Sequence, residues 1–240
     1  MIPKMKLQTL ALASLLLASA ACGSAPSTGG NSAGTPASGG GAAGGSKSAA
    51  VISAGDKPLD VITKAMRSQF DAKSYRARMN LSASNGTTTA MLVEYVSPDR
   101  YHVVRDAGAG DQASKLEYII VGKDTYMKTG DGPWTKFPVD MGGMISSFKD
   151  PKTIEELNKG AEIKFVGPDT LDGMPMLVYQ HTLDNAGGLV GKVVTKTWVA
   201  VADGLPRKSE SDGEYQGIKT KTVSTISDYN SDIKIELPAK

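Results

Sequence analysis

YRARMNLSASNGTTTAMLVEYVS, Tyr75–Ser97, alternates apolar and polar residues and then turns back on itself. Tyr75, Ala77, Met79, Leu81 and Ala83 fall on one side of an extended chain, and Arg76, Arg78, Asn80 and Ser82 on the other. Asn85-Gly86 then supplies a favoured two-residue hairpin turn. The return strand stops at Pro98, and RYHVVRD follows it. A period of two on both arms predicts antiparallel strands with one dry face and one wet face.

The pattern on either side supports this reading. Upstream, DKPLDVITKAMRSQFDAKS predicts a helix: Asp56 is a candidate cap, Pro58 suits the first turn, and Leu59, Ile62, Met66 and Phe70 recur at helical spacing. Downstream, KLEYIIVG, DTYMKT, WTKFP, AEIKFVG, MPMLVYQHTL, KVVTKTWVAV, LPRKSES and the Thr-rich GEYQGIKTKTVSTISDY read as further strands. Gly122-Lys123-Asp124, Gly130-Asp131-Gly132-Pro133, Asp172-Gly173, Gly187-Gly188 and Asp203-Gly204 mark the turns between them. Two short helical stretches interrupt the series: MGGMISSF, and DPKTIEELNKG with Asp150 as its cap and Gly160 closing it. A final strand is expected at Ile233, Ile235 and Leu237. The fold class is therefore α+β and mainly antiparallel β: a curled half-barrel of about ten or eleven strands with two or three helices in its concave face.

Before Val51 the composition changes twice. MIPKMKLQTLALASLLLASAAC has a basic start at Lys4 and Lys6, an apolar run through Leu7 to Leu17, and small residues before Cys22. This is the layout of an export signal, and the apolar run is short for a membrane span. From Gly23 to Ala50 there is no aromatic or large aliphatic residue and a single charge, Lys47. Such a stretch cannot bury enough apolar surface to order itself and is read as a tether with a span of roughly 30 Å. The expected organisation is a signal over 1–21, an anchor and tether over 22–50, and a folded domain over 51–240.

Charge and motif content narrow the chemistry. Lys and Arg number 27 and Asp and Glu 25, and two of the bases, Lys4 and Lys6, belong to the signal. The remainder balances, without the concentrated basic excess of a nucleic-acid binder. One cysteine and two histidines, His102 and His181, provide few metal ligands, so no metal or other cofactor is expected. Gly39 to Gly44 matches G-x-G-x-x-G, but inside low-complexity sequence with no strand before it. Asp228, Asn230 and Asp232 begin like a calcium loop, yet Ile233 stands where its glycine belongs and Ala239 where its glutamate belongs. No nucleophile or zinc-protease motif is present, and the chain is expected not to be an enzyme.

With these elements in place, four stretches carry a resemblance: YIIVGKDTYMKTGDGPWTKF, LDGMPMLVYQHT, TWVAVADGLPRKSES and STISDYNSDIKIELPA, in order along the folded part. The chain resembles the LolA-like superfamily of cell-envelope lipoproteins, and within it the LppX/LprG type. The resemblance implies a half-barrel that encloses an apolar cavity for acyl chains, glycolipid or lipoprotein cargo. It also implies a location at the outer face of the plasma membrane or on the periplasmic side, with an envelope transport or signalling protein as a possible partner. An RseB-like sensor or protein-interaction module built on the same fold is the alternative function. Strand alternation and the helix stripes select the residues expected to line the cavity: Leu59, Ile62, Met66, Phe70, Met79, Leu81, Met91, Val93, Tyr118, Ile120, Met141, Met144, Ile145 and Phe148. MGGMISSF, with its paired glycines, is a candidate lid.

The resemblance also gives Cys22 a role. Bacterial lipoprotein signals end in a small-residue box before a cysteine that becomes the lipidated N-terminus, and here the box is Ser19-Ala20-Ala21-Cys22, with Ser19 where leucine is usual. An uncleaved membrane anchor and ordinary cleavage near Ala21, leaving a free thiol, are the alternatives. Two or more acyl chains hold a protein on a bilayer far more firmly than one. Cys22→Ser is therefore expected to move the protein from the membrane fraction to the soluble fraction, read by fractionation and immunoblot. An unchanged distribution would remove the anchor assignment.

Overall fold

The computed structural model of the chain describes residues 52–107, 114–150, 152–154, 160–184, 192–215 and 217–238. Residues 1–51, most of the helix expected over Asp150–Gly160 and the Gly187-Gly188 turn lie outside these. Helix α1 (Pro58–Asp71) opens on proline, where a missing N–H leaves no intrahelical bond unmade. Asp56 does not cap it: its carboxylate accepts from the Ser53 N–H at 2.8 Å and closes the preceding turn. Val61, Ile62 and Ala65 form the buried stripe of α1. Asp150 does act as expected, accepting from the Lys152 N–H at 2.8 Å ahead of helical residues 152–154.

Among the described residues eleven strands form one antiparallel, curled and unclosed sheet. They are β1 (Ser74–Ala83), β2 (Thr88–Val96), β3 (Arg100–Ala107), β4 (Ser114–Val121), β5 (Asp124–Thr129), β6 (Thr135–Phe137), β7 (Glu162–Leu171), β8 (Met174–Asp184), β9 (Lys192–Ala200), β10 (Pro206–Tyr215) and β11 (Ile218–Ser227). Their order is β6-β5-β4-β3-β2-β1-β11-β10-β9-β8-β7. Two meanders, β1–β6 and β7–β11, thus meet where β1 pairs with β11.

Three local expectations change. The β1–β2 loop is Ser84, Asn85 and Gly86, with the Ala83 N–H donating to Thr87 O (2.9 Å) and the Gly86 N–H to Ala83 O (3.0 Å). Only Gly86 takes positive φ, at 87°, so the turn is the three-residue kind and not the two-residue kind that needs both central residues there. GEYQGIKT is a hairpin, not one strand, because Gly217 at φ 80° reverses the chain between β10 and β11. The tail over 228–238 forms no strand. It is held by side chains: Asn230 Oδ1 accepts from the Lys73 N–H at 2.8 Å, and Arg100 Nη1 donates to Ile235 O at 2.9 Å. Ile233 and Ile235 are buried there, while Leu237 is exposed.

Helix α2 (Met141–Ser147) lies over β4 and β5, and α1 over β7 and β10. Asp140 caps α2 by accepting from the Gly143 N–H at 2.6 Å. Gly142 has no room for a side chain: a Cβ there would sit 1.7 Å from Gly122 O in the β4–β5 turn. The glycine pair is thus a means of close docking rather than a loosening of the helix. Gly142→Ala is expected to push α2 off the turn at a cost of about 1–3 kcal/mol, the range for overpacking. A lowered urea midpoint with an unchanged slope is the expected observation.

Candidate functional site

The register of the strands sorts every paired residue to one face of the sheet. Thr125, Ile120, Tyr101, Tyr95 and Tyr75 are successive cross-strand partners from β5 to β1. They lie on the concave face, the side on which α2 packs with Tyr101, Ile120 and Tyr95. The three tyrosine rings stack with centroids 4.9 and 5.0 Å apart, and Tyr229 joins at 5.9 Å from Tyr75. Burial pushes the Tyr75 hydroxyl up to about 12 and raises those of Tyr101 and Tyr229 as well. Lys149, just beyond α2, donates to Tyr95 Oη at 2.9 Å and Pro98 O at 2.6 Å, with its ammonium 4.5 Å from the Tyr95 ring centre.

Two apolar clusters occupy opposite ends of this face. One joins α1 to β8 and β9 through Val61, Ile62, Ala65, Leu177, Tyr179 and Val199, with Met66 and Phe165 against it. The other joins the tyrosines to Met91, Val103 and Ile120, with Met79, Val93, Tyr118, Met141 and Ile145 against it. Between them the inward side chains of β9, β10 and β11 are mostly Ser and Thr.

The convex face carries the charge. His102 stands between two carboxylates, with Nδ1 3.0 Å from Glu94 Oε2 and Nε2 2.8 Å from Glu117 Oε1. Burial raises both carboxyls, but their hydrogen bonds with His102 and that from Arg76 to Glu94 hold them below the usual range. His102 thus bridges Glu94 and Glu117 across three strands. Trp198 also faces outward, donating to Asp169 at 2.7 Å with Lys208 over its ring. Among the described residues no group of three or more His, Cys, Asp or Glu side chains is placed to hold a metal, and no helix is long and apolar enough to cross a membrane.

No protein-family model and no curated protein sequence matches the chain. Solved structures do match. LprF from Mycobacterium bovis superposes with a TM-score of 0.54, covering 76% of this chain and 97% of its own at 13% identity. The lipoprotein LppX from Mycobacterium tuberculosis superposes with a TM-score of 0.53, covering 74% and 97% at 14% identity. This chain has the fold of LprF and LppX. At these identities the likeness is one of fold.

Within this half-barrel the residues selected from sequence fall into three groups. Ile62 and Met66 belong to the α1 cluster, and Met79, Met91, Val93, Tyr118, Ile120, Met141 and Ile145 to the α2 cluster. Leu81 is on the concave face, half-buried, outside both clusters, and Phe70, Met144 and Phe148 are half-buried helix-end or helix-side positions. Leu59 is 48% exposed, because the stripe of α1 centres on Val61, Ile62 and Ala65, about a third of a turn away. Reading by spacing missed Val61 and Ala65, and it missed the Tyr95–Tyr101 contact, whose only sequence signal is a tyrosine on each arm of a hairpin.

Lys149 ties the end of α2 to the β2–β3 turn through two hydrogen bonds and a cation–π contact. Lys149→Met is expected to cost about 1 kcal/mol locally, hence roughly fivefold faster amide exchange across 141–149. Hydrogen exchange with mass spectrometry reads this, and unchanged protection there would show that the contact does not hold the helix.

Proposed function

We propose that the chain is an exported, membrane-anchored envelope lipoprotein that carries an amphiphile on the concave face of its half-barrel, and that it is not an enzyme. The observation that carries this is the incomplete cover of that face by the described helices. Helices α1 and α2 close its two ends, while Met79, Leu81 and Val93 stay only partly buried between them although they point inward. Apolar side chains left half-covered on a concave surface favour an apolar guest, each methylene removed from water contributing about 0.8 kcal/mol.

Other features support the reading. The sheet ends at the short β6 and at β7 instead of closing. The lipoprotein LppX shares the fold. Residues 1–21 act as the signal, Cys22 as the lipidated anchor, and residues 22–50 as the tether that lets the domain over 51–240 reach away from the bilayer. The cavity is lined by the inward members of the set read from sequence, Met79, Leu81, Met91, Val93, Tyr118 and Ile145 foremost.

The test is extraction of the purified full chain carrying Cys22→Ser with organic solvent, followed by mass spectrometry. Bound amphiphile near one molecule per protein is expected. Leu81→Glu, which places a carboxylate against the guest, is expected to lower that yield at least tenfold or so with circular dichroism unchanged. A wild-type protein that yields no lipid would defeat the carrier reading.

A further inference from the structure

On the convex face each ring nitrogen of His102 meets a different carboxylate. Nδ1 is 3.0 Å from Glu94 Oε2 on β2, and Nε2 is 2.8 Å from Glu117 Oε1 on β4. All three side chains are at least three-quarters buried. A neutral imidazole has one N–H and one bare nitrogen, so it donates to one carboxylate and turns a lone pair toward the other. Both contacts are hydrogen bonds only when the three groups together hold one proton more than a neutral ring between two carboxylates.

The surrounding charges decide where that proton resides. On the same face stand Arg76 and Arg78 of β1, Arg100 of β3, Lys115 of β4 and Lys128 of β5, with Asp228 of the tail beside Arg76. Arg76 Nε donates to Glu94 Oε1 at 2.7 Å, and Lys128 Nζ lies 3.6 Å from Glu117 Oε2, so each carboxylate has a cation at its second oxygen. Arg76 also reaches Asp228 at 3.3 Å, while Arg100 is held by Ile235 O. Burial raises the two carboxyls, but their hydrogen bonds and these cations keep both below the usual range. The proton therefore goes to the ring. With an imidazolium, Glu94, Glu117, Asp228, Arg76, Lys128 and His102 carry three charges of each sign; with a neutral ring one negative charge is left over.

We propose that His102 is a proton-operated clamp: doubly protonated, it ties β2 to β4 across β3, and on losing a proton it releases one of the two carboxylates. The clamped residues alternate along their strands with Tyr95, Tyr101, Val103 and Tyr118 of the concave face. The proton on the convex side thus sets how firmly the strands beneath the tyrosine stack are held together. The clamp does not depend on the carrier reading. A proton held more tightly by the clamp than by the unfolded chain stabilises the fold, and this contribution is lost as pH rises and the ring gives the proton up. The carboxyls act in the opposite sense. Held low in the fold, they contribute above the ordinary carboxyl range, and that contribution is lost as pH falls through their folded values. The clamp is closed only between these two limits.

Proton–nitrogen correlation NMR of the imidazole rings, on the purified full chain carrying Cys22→Ser, separates the two ring states. His181, whose pKa is lowered by burial, is the internal reference for a ring with a bare nitrogen. At about pH 7 both nitrogens of His102 are expected to be protonated. A bare nitrogen on His102 at that pH overturns the clamp. Urea unfolding at about pH 6 and about pH 9 reads its energetic effect. The unfolding constant of His102→Gln is expected to exceed that of the wild type at least about fivefold at the lower pH, and by several-fold less at the higher. Glu117→Gln, whose amide can either donate to a neutral ring or accept from a charged one, is expected to flatten that pH dependence. An effect of His102→Gln that is equal at both pH values, or a pH dependence unchanged by Glu117→Gln, overturns the clamp as well.

Discussion

The pairing of β1 with β11 is the constraint on which the rest of the molecule depends. It joins segments from opposite ends of the folded chain, so that Lys73 and Asn230, bonded at 2.8 Å, are 157 positions apart. Without it there are two separate meanders, each with an open apolar face. With it, Met79 lies against Ser224 and Ala77 against Ile226, and one curved surface runs from β6 to β7. A slip of one residue in this ladder would turn one meander inside out relative to the other. The ladder is reinforced at its end by the tail, where Ser74 Oγ donates to Ser231 O and the Asn230 N–H to Ser74 O.

The covers of that surface are small and are fixed by particular contacts. Helix α1 contributes a stripe of Val61, Ile62 and Ala65, enough to seal the β7–β10 end with Tyr179 and Leu177. Helix α2 is only seven residues long, too short to be stable by itself, and is held by docking. Its start fits onto the Gly122 carbonyl because Gly142 lacks a side chain, and the segment after it is held by Lys149 on Tyr95. Helix α1 packs over β7 and β10 and α2 over β4 and β5, and on β1 between them Met79 and Leu81 stay half-covered.

Much of this was legible in the residues. The two-residue period of Tyr75–Ala83 placed its inward set correctly, and Asp172-Gly173 forms the turn expected, with φ values of 51° and 79°. Other features were not legible because they are decided by neighbours distant in the chain. Ile233 and Ile235 alternate like a strand, yet they join none of the described strands and are buried through side-chain and carbonyl contacts instead. Leu59 shares the spacing of Ile62 and Met66, but the axis of α1 against the sheet leaves it outside. The site was partly legible for the same reason: alternation finds the inward methionines of β1 and β2, while the tyrosine stack is visible only once β2 and β3 are in register.

The sequence by itself determined which residues share a side of each strand, where the chain turns, and that most strands have a more polar and a less polar side, since alternation and turn chemistry act over a few residues. Only the tertiary structure decided which of those sides coincide. The Ser and Thr positions of β9–β11 look like ordinary strand composition when read along the chain. They become one polar band beside an apolar surface because β11 pairs with β1, and that pairing is set by contacts between residues that the chain order keeps far apart.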